Sequence, residues 1–160
     1  MVEAALRVGD LAAAATEYCG LVEHLDRPSQ DWLEQVSCLL PRIHAAVILL
    51  QSSSESATCP PLSAAEYDRR FELFSRLRDL LRERDIADAG VASDSLADDI
   101  ADIYFELRRG LDAFSPGHPD AAARIWCSGF LWHWGQHLVD AERRLYELEV
   151  NRRLFRSASD

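Results

Sequence analysis

"SLADDIADIYFELRRGLDAF", residues 95–114, decides the fold. Leu96, Ile100, Ile103, Leu107, Leu111 and Phe114 recur at three- and four-residue steps, which gathers them on one face of an α-helix. Ser95 and Asp98 read as a capping box that opens this helix, and "SPGHP" at 115–119 places proline and glycine where helices end. Beside the apolar face runs a second stripe, Asp99, Asp102 and Glu106, at i, i+3 and i+7. Like charges at such spacing destabilise a helix, so something positive should face them. Asp99 is close enough to the expected N-terminus for the helix dipole to favour it. For Asp102 and Glu106 two candidates exist, Arg109 one turn further along or a metal ion.

The helix that follows, from about Pro119 to beyond Tyr146, contains "FLWHWGQHLVDAERRL". Cys127, Phe130, Trp134, Leu138, Ala141, Leu145 and Leu148 form a core face at 100° per residue. Ile125, Trp132, Val139 and Tyr146 repeat every seven residues as a second apolar line on roughly the opposite side. A helix apolar on two faces is either central in its bundle or covered by another chain, a protein partner or a second copy of itself.

His133, His137 and Asp140 stack along one edge of the core face. Imidazole and carboxylate groups on one helix face can approach a common divalent ion, and this donor set suits zinc, iron or manganese. The same spacing also arises in boundary residues that simply hydrogen-bond to their neighbours. If the two helices pack antiparallel, as their short connection implies, Asp99, Asp102, Glu106, His133, His137 and Asp140 converge as candidate metal ligands in one groove. The Glu-x-x-His motif of di-iron bundles is absent from them.

Three more helices are predicted upstream. Asp10 caps a first, running to about Leu25 with Leu11, Ala15, Tyr18, Val22 and Leu25 inward. Ser29 caps a second whose seam is Leu33, Val36, Leu40, Ile43, Val47 and Leu50, with Pro41 expected to kink or split it. Ser63 and Glu66 form a capping box for a third, with Tyr67, Phe71, Phe74, Leu77 and Leu81 inward and the pairs Glu66 with Arg70 and Asp79 with Arg82 outside. "DIADAGVASDS" reads as the next break. His24 and Glu17 lie where they could add to the groove, and His44 reads as a satisfied core histidine. No stretch alternates with period two. The expected fold is all-α, a single antiparallel bundle of about five helices over residues 1–160, with its core at about 10–150, a surface loop at 51–63 and a basic tail at 151–160.

Composition narrows the chemistry. The chain has 160 residues, 48% of them hydrophobic, which is enough for one domain with a real core. A net charge of −10 disfavours nucleic acid and anionic lipid. Arg143, Arg144, Arg152, Arg153 and Arg156 form the one basic cluster, and arginines at a helix C-terminus complement its dipole. All 17 basic residues are arginine, which excludes Schiff-base catalysis and a P-loop lysine. Cys19, Cys38, Cys59 and Cys127 make no C-x-x-C pair; the first, second and fourth read as core thiols and Cys59 as exposed. No apolar run is expected to approach the length of a membrane span, and the N-terminus lacks the features of a secretory signal. The expected location is the cytoplasm.

The ordered blocks "EYCGLVEHLD", "LPRIHAA", "SLADDIADIY" and "HWGQHLVDA" resemble a family of small bacterial all-helical proteins known as a domain of unknown function. The resemblance spans about residues 10–148 and implies a cytoplasmic helical domain. It departs between Asp85 and Ser95, where the family has a longer segment with aromatic residues. Separately, "DDIADIYFELRR" is similar to the E-x-x-D helix of the all-α nucleotide pyrophosphohydrolases, with Asp99 and Asp102 at the matching positions. That resemblance implies magnesium held jointly with an E-x-x-E helix, and a metal-bound water that attacks the phosphate chain. Here Glu23 with Asp26 is the nearest approach to E-x-x-E. Two readings follow: an interaction or ligand-binding module using the second apolar line, or a divalent-metal-binding bundle with nucleotide-type phosphohydrolase chemistry.

Overall fold

The computed structural model describes residues 2–51, 63–84, 90–115 and 117–157, and among these the side chains of 6–51, 63–84, 93–115 and 117–151. The helices are α1 (Val2–Glu23), α2 (Trp32–Gln51), α3 (Ala64–Glu83), α4 (Gly90–Phe114), α5 (Pro119–Gly129) and α6 (Gly135–Ser157). A π-helical turn, Phe130–Trp134, joins α5 to α6, so the expected last helix is one run in two parts. No strand occurs among the described residues. Most of the long loop, Cys59 included, lies outside them, as do the side chains of Arg152, Arg153 and Arg156 and residues 85–89 of the segment where the family resemblance departs.

Contacts between numbered positions fix the directions of the helices. Trp32 Nε1 donates to the Leu21 carbonyl at 3.0 Å, and Arg42 pairs with Glu17 at 2.8 Å, so α1 and α2 run antiparallel. Arg82 meets Asp94 at 3.0 Å while Arg70 meets Asp98 at 2.6 Å, which sets α3 antiparallel to α4. Trp126 Nε1 donates to the Leu107 carbonyl at 3.1 Å and His137 meets Asp99 at 2.8 Å, so the last run is antiparallel to α4 as well. Helix α4 packs against α1, α3, α5 and α6 and is the centre of the bundle.

The apolar seams read from spacing are buried. Leu11, Ala15, Tyr18, Val22 and Leu25 of the first seam, the six named α2 residues, and Leu96, Ile100, Ile103, Leu107 and Leu111 of α4 all lie in the core. Buried aromatics also satisfy their polar hydrogens on backbone carbonyls: Tyr18 Oη donates to Ile100 at 3.0 Å and Trp134 Nε1 to Trp126 at 3.2 Å.

Several expectations are corrected. Asp10 lies inside α1, and Ser95 and Asp98 lie inside α4, because apolar and small residues upstream carry each helix further back than the first apparent cap. The Ser95–Asp98 capping box therefore gives way to an ion pair of Asp98 with Arg70. Helix α2 begins at Trp32, and Ser29 Oγ accepts from the Gln35 side chain at 3.1 Å. Pro41 does not split α2; it sits on the exposed side of an unbroken helix. Helix α2 is also long and apolar enough, by length and composition, to cross a membrane, contrary to the expectation, because its few polar residues are scattered through it. In the bundle it packs against α1, α5 and α6. Cys38 is exposed, while Cys19 and Cys127 are buried.

The Ser63–Glu66 capping box is formed, with the Glu66 amide on Ser63 Oγ at 3.3 Å and the Ser63 amide on Glu66 Oε2 at 2.7 Å. The α3 face is rotated from the expected one. Leu73, Leu77 and Leu81 are buried, whereas Tyr67 and Phe71 are 58% and 66% exposed. Arg70 occupies the inward direction in that first part of the helix and pairs with Asp98 and Asp102 rather than Glu66. Arg82 likewise reaches Asp94, and Asp79 pairs with Arg78.

Two glycines test the packing. A Cβ on Gly110 would lie 2.0 Å from Trp126 Nε1, so the indole rests directly on the α4 backbone, whereas a Cβ on Gly20 would meet nothing within 4 Å. Gly20→Ala should stabilise the protein by about 0.5–1 kcal/mol through helix propensity. Gly110→Ala should cost about 1–3 kcal/mol or more by overpacking. Urea denaturation of the two variants checks this opposition of sign.

Candidate functional site

The acidic stripe of α4 and the histidine edge of the last run meet. Asp99, Asp102 and Glu106 are each 4% exposed, although none sits at a helix end that would explain a buried charge. His137 Nδ1 lies 2.8 Å from Asp99 Oδ1, and its Nε2 lies 3.2 Å from Asp102 Oδ2. His133 Nδ1 lies 3.3 Å from Glu106 Oε1. The two imidazoles meet edge to face with centroids 5.2 Å apart. One ligand atom from each of Asp102, His133 and His137 can be chosen so that all lie within 4.8 Å of one another.

The counter-charges come from other helices than expected. Arg70 of α3 forks onto Asp102, with Nε on Oδ1 at 2.5 Å and a terminal nitrogen on Oδ2 at 2.6 Å, and the same terminal nitrogen reaches Asp98 at 2.6 Å. Arg144 of α6 donates to Asp99 Oδ2. Arg109 stands 3.5 Å from Glu106 and does not neutralise the stripe by itself. Asp98, Asp99, Asp102 and Glu106 thus face Arg70, Arg109 and Arg144, which leaves one carboxylate in excess. His137 faces that excess through Asp99 and Asp102. Its pKa lies above the usual 6.5, chiefly because the Asp99 hydrogen bond and then the Asp102 charge favour imidazolium over the opposing effect of burial. Burial pushes the Asp99 carboxyl up, against the lowering effect of His137 and Arg144.

Of the six expected ligands, five belong to this cluster. Asp140 lies apart from the close triad and sits 3.6 Å from Arg143. His24 is exposed and contacts the Gly20 carbonyl, Glu17 is held by Arg42, and neither joins the groove. His44 is half-buried and meets Glu142 at 3.0 Å. Glu23 accepts from Tyr104 at 3.0 Å and from Arg108 at 3.2 Å, and Asp26 pairs with Arg76. At about 100° per residue, Tyr104 and Arg108 lie on the opposite side of α4 from Asp99, Asp102 and Glu106. The half-box needed for pyrophosphohydrolase chemistry is therefore turned away from the acidic stripe.

Spacing alone missed the π turn. The Gly135 amide bonds to the Phe130 carbonyl, five residues back, and a Cβ at Gly135 would sit 2.4 Å from that oxygen. Gly129 precedes the turn, and a Cβ there would lie 2.8 Å from Glu106 Oε2. The two glycines thus bracket the turn that carries His133, one permitting its hydrogen bond and the other leaving room for Glu106. Single π turns inside α-helices occur often at functional sites.

The second apolar line is uncovered, which corrects the alternative of a central helix. Trp132 and Tyr146 are 78% and 70% exposed, Val139 is exposed and Ile125 is half-buried. The last run is covered on one side, and α4 takes the central place.

The chain belongs to the family described as Domain of unknown function (DUF5063), which matches residues 5–151. No curated protein and no solved structure matches it.

The raised His137 pKa makes a stability prediction. The folded state holds the proton more tightly than the unfolded state, so its contribution is complete below pH 6.5 and is lost as pH rises through the raised value. The unfolding free energy of the metal-free protein, from urea denaturation, should fall across that window, by at most about 1.4 kcal/mol per pH unit for one proton. His137→Gln should flatten the slope.

Proposed function

We propose that the bundle binds a divalent transition metal between α4 and the run formed by the π turn and α6, with Asp102, His133 and His137 as ligands. The observation that carries this reading is the orientation of both imidazoles. Each sets Nδ1 against a buried carboxylate, His137 on Asp99 and His133 on Glu106, which points Nε2 away from that partner, and His137 Nε2 lies 3.2 Å from Oδ2 of Asp102, the carboxylate proposed to share the ion. A carboxylate behind the non-ligating nitrogen is the usual partner of a metal-bound histidine, because it fixes the tautomer and raises ligand basicity. Asp99 and Glu106 are then orienting groups rather than ligands, and Asp140 drops out. Two imidazoles and one carboxylate suit zinc, iron or manganese more than magnesium. His133 is 44% exposed at its side chain, so the third ligand stands at the solvent side, where water or a small anion could complete the coordination. The chemistry is consistent with a cytoplasmic protein, in which Cys19, Cys38 and Cys127 remain free thiols.

Calorimetry and thermal shift with zinc, manganese and magnesium test the reading. At a hundredfold excess over Kd, zinc or manganese should raise the melting temperature by roughly 5–10 °C. His133→Ala and His137→Ala should abolish the rise, and Asp140→Asn should keep it. Failure of every metal to bind the wild-type protein would sink the proposal.

A second reading concerns the uncovered apolar line. Trp132, Val139 and Tyr146, with Leu131 beside them, expose large apolar surface along one side of the last run, which suits a protein partner or a second copy. Light scattering over a concentration series should show association that Trp132→Ala weakens, with little change in monomer stability because the side chain is exposed. A monomer at every concentration argues against the homodimer.

A further inference from the structure

Arg70 is the feature of this cluster that a metal site does not need. All three proposed ligands lie on α4 and the last run, whereas Arg70 enters from α3 and occupies both oxygens of Asp102 at 2.5 and 2.6 Å. Its fork has the planar two-bond geometry by which guanidinium recognises carboxylate, and its third contact, on Asp98, anchors it from a second direction. The oxygen nearest His137 Nε2, Asp102 Oδ2, is one that Arg70 holds.

We propose that Arg70 is a built-in competitor for the metal: it serves as the counter-cation of Asp102 in the metal-free protein and must yield to an incoming ion. This rests on the metal reading given above and adds its regulation. Two cations on one carboxylate repel, so each lowers the affinity of the site for the other, and the effect is reciprocal. The arrangement makes binding reversible and ties occupancy to α3. Ahead of the buried Leu73, Leu77 and Leu81, Arg70 is the inward anchor of the N-terminal part of that helix, since Tyr67 and Phe71 point outward. Ion binding therefore loosens residues 64–72 while leaving the apolar part of α3 docked.

The test is titration of wild-type, Arg70→Gln and Arg70→Lys proteins with zinc or manganese alone, beside urea denaturation without metal. Arg70→Gln should bind the ion roughly tenfold more tightly while its metal-free form is less stable. Arg70→Lys, which keeps the charge without the fork, should fall between. A purely structural arginine would lower both affinity and stability. In the wild-type protein, hydrogen exchange across 64–72 should speed up on metal binding while 73–83 stays protected. Equal affinity in wild type and Arg70→Gln, or unchanged exchange at 64–72, overturns the competition and leaves the metal site standing. No binding to either protein overturns both.

Discussion

Three carboxylates buried on one stripe of the central helix are the constraint around which this bundle is organised. A carboxylate taken out of water is tolerated only when charge and hydrogen bonds meet it, and α4 supplies only Arg109, at the far end of its own stripe. Arg70 therefore has to arrive from α3 and Arg144 from α6, one on Asp102 and the other on Asp99. These requirements act on the fold as well as on the site. The inward arginine displaces Tyr67 and Phe71 to the surface, and the Arg144 contact brings the downstream part of α6 to the Asp99 end of the stripe. For α3 and α6, Arg70 and Arg144 thus help to set the register against α4 that an apolar seam leaves less defined.

Much of the scaffold was legible because it depends on local rules. The α1, α2 and α4 seams follow the helical period, and the Ser63–Glu66 box joins residues three apart. The misreadings share a cause. Asp10 and Ser95 look like caps to any local rule, and nothing near them in sequence reveals that the helix has already begun. Tyr67 and Phe71 look inward because they are apolar, and only the distant Asp98 and Asp102 explain why Arg70 takes that direction instead.

The candidate site divides in the same way. The convergence of Asp99, Asp102, Glu106, His133 and His137 could be anticipated from two helical stripes and one short connection. Its electrostatics could not, because Arg70 and Arg144 lie 32 and 45 residues from their partners. The π turn left one trace in the sequence, glycines at 129 and 135 inside a run otherwise suited to unbroken helix. A glycine in a helix interior costs about 1 kcal/mol relative to alanine, and at these two places the missing Cβ is what the geometry requires.

The π turn also divides one helix into two phases. It takes up one residue more than an ordinary helical turn, so side chains downstream stand about 100° from where unbroken helical spacing would put them, and α5 and α6 are each keyed to α4 by their own contacts. The upstream half is set by Trp126 lying against Gly110, and the downstream half by His137 and Arg144 on Asp99. Straightening the turn into ordinary helix with its residue number unchanged would turn His137 and Arg144 away from the acids together, whereas deleting one residue would restore ordinary helix with both still facing them. For this bundle the turn takes up one residue of length while both halves keep their facing groups on α4.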